Sequence, residues 1–169
     1  MIEVIDYDSS WHAAFAAEKI HLQEAIGSNA VSVEHIGSTA VVGLAAKPII
    51  DILIAVTSLS ELDRANDVIA ALGYAVKGEN GITGRRYFQK GTNQRSHHVH
   101  AFKVDDIHLH RHRVFKDYLI AHNEIALAYG LIKKKAAAKS NNDVNVYMAC
   151  KNSFIQKHQQ LALEWFDCL

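Results

Sequence analysis

The chain has 169 residues, an apolar share of 49%, and 18 basic residues against 18 acidic ones. That length suits a single domain with a substantial core, and the cancelling charge excludes a global field that would draw the chain to nucleic acid or an anionic membrane. Cys150 and Cys168 have no framework spacing, no apolar run approaches the roughly 20 residues of a membrane span, and the opening MIEVIDYDSSW is unlike a signal peptide, so a cytoplasmic protein with reduced thiols is expected.

The spacing of Trp11, Ala14, Phe15, Ile20, Leu22 and Ile26 predicts an amphipathic helix from Asp8 to Ile26. A strand follows from Val31 to Ile36, ended by Gly37. The small-residue stretch Ser38 to Ala46, interrupted by Gly43, predicts a short helix, and Pro48 biases Lys47 towards an extended backbone. Ile49 to Val56 is apolar, bounded and β-branched, as a buried strand is. Ser58 and Glu61 form a capping box ahead of Leu62, Ala65, Val68, Ile69 and Leu72, with Gly73 where a C-cap glycine belongs. Tyr74 to Lys77 is a short strand. Three glycines make Gly78 to Gly84 a mobile turn or lid. Arg85 to Lys90 and Ser96 to Val104 form a hairpin around GTNQR.

From Asp106 onwards the pattern is helical. Asp106 caps a helix through His122, with Leu109, Val114, Phe115, Tyr118 and Leu119 on its apolar side. A second helix covers Glu124 to Ala138, and Asn142 or Asp143 caps a last one running nearly to Leu169. Strands and helices mix in the first two-thirds and only helices follow, which predicts an α+β fold: a mixed sheet with flanking helices and a C-terminal helical segment on it.

The chemistry concentrates in VEHIGSTAVVGLAAKPIIDILIAV. A Gly37-Ser38 turn feeding a helix offers free N–H groups and a positive dipole end to a phosphate, with Thr39 beside them. Asp51 sits among five apolar residues in IIDILI, where a carboxylate needs a partner or a metal. The structural alternative is an Asp at a strand end that caps a neighbouring loop or pairs with an arginine, and Lys47, four residues earlier, can also neutralise it. In HHVHAF, period two puts His98, His100 and Phe102 on one face, with the two imidazoles about 6–7 Å apart at Cα. That spacing lets them ligate one metal or grip one phosphate. Arg85 and Arg86 stand beside Tyr87, which can stack on a base; adjacent strand residues face opposite ways, so only one arginine can face a given site. His108 and His112 have zinc-like i, i+4 spacing, but no glutamate lies between them and HLHRHR reads as a basic solvated face. Lys151 occupies the apolar stripe of the last helix, so it either snorkels to the surface or points across the core into the phosphate site.

VEHIGSTAVVGLAAKPIIDI, GENGITGRRYFQK, HHVHAF and HRVFKDYLIAH, in that order, resemble the GrpB family. Its domain is also found fused to dephospho-coenzyme A kinase, and it is grouped with the polymerase-β-like nucleotidyltransferases, marked by a G-[GS] turn and an acid-x-acid strand. The resemblance implies that Gly37 and Ser38 are the turn and Asp51 the first acid. The second acid would stand at Leu53, and His98 or His100 falls where the third would come. Val42 stands where the family usually has proline, and Lys116 and Ile120 where it tends to have arginine.

Two functions are therefore expected from this sequence. One is a nucleotidyltransferase with Ser38, Thr39, Lys47, Arg85, Arg86, Tyr87 and Lys151 around a nucleotide, and Asp51, His98 and His100 as catalytic and metal-holding residues. A single acid with imidazoles suits Mn²⁺ or Zn²⁺ better than Mg²⁺. The other is a non-catalytic module that binds a nucleotide or coenzyme A precursor and serves a partner enzyme in coenzyme A metabolism. A purely structural or metal-binding domain has the least support.

Overall fold

A computed structural model describes residues 1–169 throughout. Helix α1 (Ser10–Ile26) leads into strand β1 (Ala30–Ile36), and β2 (Ile50–Val56) returns antiparallel beside it. The capping-box segment forms two short helices, α2 (Leu59–Arg64) and α3 (Asn66–Ala71), with the Ser58 hydroxyl accepting from the Glu61 N–H at 3.2 Å. Strands β3 (Tyr74–Gly78), β4 (Arg86–Lys90) and β5 (His97–Lys103) complete a five-stranded sheet of order β1-β2-β5-β4-β3. Only β2 and β5 run parallel. Three helices close the chain: α4 (Ile107–Ala121), α5 (Asn123–Ser140) and α6 (Val144–Asp167). Asp106 caps α4, and Asp143 rather than Asn142 caps α6. No helix is long and apolar enough to cross a membrane.

The alternation of side chains divides the core into two layers. Ile50, Ile52, Ile54 and Val56 of β2 join Val99 and Ala101 of β5 on one face, under Trp11 and Leu22 of α1. Leu53 and Ala55 emerge on the other face and pack with Ile36, Phe102 and Leu109 beneath α4. A third cluster joins Val41 and Leu44 to Tyr118, Tyr129 and Ala162 of the helical segment. The long segment between β1 and β2 is thereby clamped between sheet and helices, and the site forms there.

The helix expected over Ser38 to Ala46 is not present. Only Ser38–Ala40 makes a single 3₁₀ turn. Gly43 adopts a positive φ of 84°, and Ala46 exchanges backbone hydrogen bonds of 3.0 Å with Ile5 in an isolated bridge. Pairing with the N-terminal segment therefore competes with helix formation and wins. A three-residue turn carries too few aligned peptides to make a helix dipole, so the dipolar cradle expected at Gly37-Ser38 is not formed there.

Candidate functional site

Asp51 lies where three strands meet. It is level with Ile36 on β1 and His98 on β5. Its Oδ1 is 3.6 Å from His98 Nδ1 and 3.5 Å from His100 Nε2. The shared face of His98 and His100, read from period two, is thus the face of Asp51. Burial would raise the Asp51 pKa, but the two imidazoles overturn that and hold the carboxyl below the ordinary carboxylate range. The outer nitrogens, His98 Nε2 and His100 Nδ1, are buried with no partner.

Gly37 is required by this arrangement. Its φ is +73°, and a Cβ there would stand 2.7 Å from Asp51 Oδ2 and 3.0 Å from Asp51 Cβ. Only glycine tolerates both the backbone and the close approach. Thr39 is committed to structure: its hydroxyl is 2.9 Å from His35 Nε2 and reaches the Ile49 carbonyl at 3.5 Å. Both Ser38 and Thr39 line a cavity of about 170 Å³, with Lys47, Asp51, His98, Lys133, Tyr147 and Lys151.

Three lysines are the dominant feature of this cavity. Lys47 and Lys151 hold their ammonium groups 4.9 and 4.7 Å from the Tyr147 ring centre, and Lys133 stands 4.4 Å from that of Tyr129. Lys133 is 2% exposed and its Nζ has no hydrogen-bond partner. A lysine steadied by an aromatic face keeps its three N–H donors for another acceptor, whereas one paired to a carboxylate spends them. Burial pushes Lys133 down to about 7, with the Lys151 charge acting the same way, and burial and Lys47 push Lys151 down to about 8. Lys151 thus points into the cavity, and Lys47 turns to Tyr147. Sequence reasoning missed Lys133 and Tyr147. Lys133 opens a KKK run that reads as solvated, yet it falls in register with the buried Ala126, Tyr129 and Ala136 of α5.

The arginines lie elsewhere. Arg86 faces away and forms a two-pronged pair with Asp63 of α2, at 2.7 and 3.1 Å. Arg85 covers the Tyr87 ring at 4.6 Å and donates to the carbonyls of Glu79 and Asn80, which ties down the glycine loop expected to be mobile. Tyr87 packs edge-on to His98 at 5.7 Å and tilted on His100 at 5.1 Å, so it buttresses the imidazoles. Arg86→Ala is therefore expected to leave ligand binding unchanged and to cost at most about 1 kcal/mol of stability in denaturant titration, as partly exposed ion pairs do.

The expected metal site is not assembled. Asp51, His98 and His100 meet as a carboxylate paired to two imidazoles, and no group of three His, Cys, Asp or Glu side chains is arranged to hold an ion. Magnesium prefers several oxygen ligands, and Asp51 is the single carboxylate lining the cavity. Leu53, at the second-acid position, is 0% exposed beneath α4. The donor set does not fit a pair of magnesium ions. The basic face expected of HLHRHR also differs, since His108 stacks on Phe102 at 5.0 Å and His112 turns inward to lie 5.4 Å from His100.

Residues 1–161 match the family described as "GrpB protein". The chain belongs to the GrpB family. A Bacillus subtilis relative, "UPF0157 protein YqkA", is 42% identical over 97% of this chain, and the chain spans about half that relative's length, 48%. GrpB of Enterococcus faecalis, a crystal structure, superposes with a TM-score of 0.94 at 38% identity, covering 97% of this chain and 99% of that one. A GrpB-like region also makes up 47% of a Mycolicibacterium paratuberculosis protein named "Dephospho-CoA kinase", 27% identical over 98% of this chain. Cid1 in complex with its short product ApU matches 76% of this chain and 42% of its own, with a TM-score of 0.53 and 16% identity. The GrpB fold is therefore nucleotidyltransferase-like: a mixed five-stranded sheet with flanking helices.

Proposed function

We propose that this GrpB-family chain binds a phosphorylated small molecule, a nucleotide or a coenzyme A precursor, with its phosphates among Lys47, Lys133 and Lys151 and against Ser38. The observation that carries this reading is the buried, partnerless ammonium of Lys133 aimed into a cavity that two further lysines line. An unpaired charge in such a place is costly, and an anion with several oxygens satisfies all three donors at once. Phosphate supplies that geometry as well as the charge. The relative named dephospho-CoA kinase makes coenzyme A precursors natural probes, and the nucleotidyltransferase-like frame does the same for nucleotides.

The same lysines make binding consume protons. Anion binding favours the charged form, and a free-protein Lys133 near 7 is mostly neutral at pH 8. Calorimetric titration with tripolyphosphate in two buffers of different ionisation enthalpy should show proton uptake at pH 8 that fades below pH 6. A titration without heat for tripolyphosphate, ATP, CTP and 4′-phosphopantetheine alike sinks the reading.

Asp51 and its imidazoles favour a second reading, in which the pocket also transfers a nucleotidyl group. Turnover of ATP or CTP, with and without Mn²⁺, that Asp51→Asn abolishes would support it. Binding unchanged by Asp51→Asn, with no turnover in either protein, supports the module that serves a partner enzyme. Leu53 favours the module.

A further inference from the structure

A groove of about 480 Å³ runs between α4 and α6, and its lining includes Arg111, His112, Phe115, Gln156, Gln159 and Gln160. We infer that this groove is a second subsite, which receives the uncharged, hydrogen-bonding body of the ligand whose phosphates lie among the lysines. The inference rests on the phosphate reading for its first half and on the groove's own chemistry for its second.

Size separates the two cavities by role. Pockets that enclose a drug-sized ligand run from about 300 to 1,000 Å³. The lysine cavity, at about 170 Å³, falls below that range and suits phosphate groups alone, whereas the groove lies within it. A phosphorylated ligand therefore extends beyond the lysines, and the groove provides the space.

The two adjoin through a chain of side-chain contacts. Asp51 lines the lysine cavity, and its Oδ1 is 3.5 Å from His100 Nε2. The His100 ring lies 5.4 Å from that of His112, which lines the groove. His100 Nδ1, in the middle of this chain of contacts, is buried and has no partner within the protein.

The lining selects the chemistry. Gln156, Gln159 and Gln160 stand at i, i+3 and i+4, on one face of α6. Each amide offers both a donor and an acceptor, so together they read a pattern of carbonyls and N–H groups. Arg111 adds donors, while Phe115 and Leu163 supply apolar contact, and no carboxylate lines the groove. Gln160 also donates to Glu164 at 3.1 Å. A nucleobase edge and the amide chain of a pantetheine share the recognised chemistry.

Nuclear magnetic resonance of ¹⁵N-labelled protein tests this directly, because glutamine side-chain amides give their own signals. Millimolar adenosine or pantetheine, neither carrying phosphate, should shift the amides of Gln156 and Gln159. Adenosine alone doing so identifies a base as the occupant, and pantetheine alone an amide chain. The double variant Gln156→Leu, Gln159→Leu, at two exposed positions, should bind ATP or 4′-phosphopantetheine about tenfold more weakly, as the loss of two neutral hydrogen bonds implies. Its tripolyphosphate affinity should not change. Glutamine signals that stay still with both probes, or ATP and 4′-phosphopantetheine affinities unaltered in the double variant, overturn the second subsite. Failure of tripolyphosphate to bind the unaltered protein overturns the phosphate half instead.

Discussion

Lys133→Met is expected to make the protein more stable and unable to hold its ligand. The variant keeps the length of the side chain and removes the charge. Leaving a buried donor unmatched costs about 1–3 kcal/mol, and the ring of Tyr129 beneath Lys133 returns about 0.5–1 kcal/mol of that. A net gain of about 1 kcal/mol corresponds to a rise of about 2–4 °C in a chain of this size. Binding moves in the opposite direction. Removing one partner of a buried charge pair costs about 2–5 kcal/mol, so tripolyphosphate affinity should fall at least about thirtyfold. Thermal melts and calorimetric titration of the same variant read both effects. A less stable variant with unchanged affinity would show that Lys133 serves the core rather than a ligand. The pairing of opposite effects is the mark of a site that holds stored cost for function.

Leu53→Asp carries the other large effect. In an acid-x-acid strand this substitution would complete the pattern, and in this fold it should damage the core. Leu53 packs against Ile36, Ala55, Phe102 and Leu109 with no exposure. Removing the leucine alone costs about 2–5 kcal/mol, and the new carboxylate meets no cation there. Its pKa in the folded state would lie above that of the unfolded chain, so the added destabilisation is smallest at low pH and grows as pH rises through neutrality. Urea titration at pH 7 should show a loss of at least about 3 kcal/mol, and Leu53→Asn a smaller loss without the pH dependence. A stable Leu53→Asp variant that gained Mn²⁺-dependent turnover would reverse the proposal that this pocket works through lysines rather than paired acids.

The contrast between these two residues shows what local pattern can reveal. Period-two alternation in HHVHAF placed His98 and His100 together, and a single acid in an apolar strand marked Asp51. Both inferences use only neighbours within one strand, where backbone geometry fixes direction. The parallel pairing of β2 with β5 then brought the two strands level. Lys133 gave a weaker signal. Its spacing from Ala126 and Tyr129 is helical, but the run with Lys134 and Lys135 hides it, and both of those are exposed. Arg86 gave a false signal, because its residue type suits phosphate while its strand face points to Asp63.

Local pattern was enough for most of the elements, the α+β class, the glycine-serine turn, the lone acid Asp51 and the shared face of His98 and His100. Each of these follows from propensity or periodicity within a few residues. Long-range packing set the meeting of Asp51 with the imidazoles and the charge of the pocket. The turn after Ser38 stays short because Ala46 pairs with Ile5, over forty positions away, and no local rule anticipates a bridge of that span. The positive charge a longer helix would have supplied comes instead from Lys133 and Lys151, carried in by α5 and α6 and held over tyrosine rings. Long-range packing chooses which lysines face inward, because a side chain's burial depends on what lies opposite it and not on its neighbours in the chain.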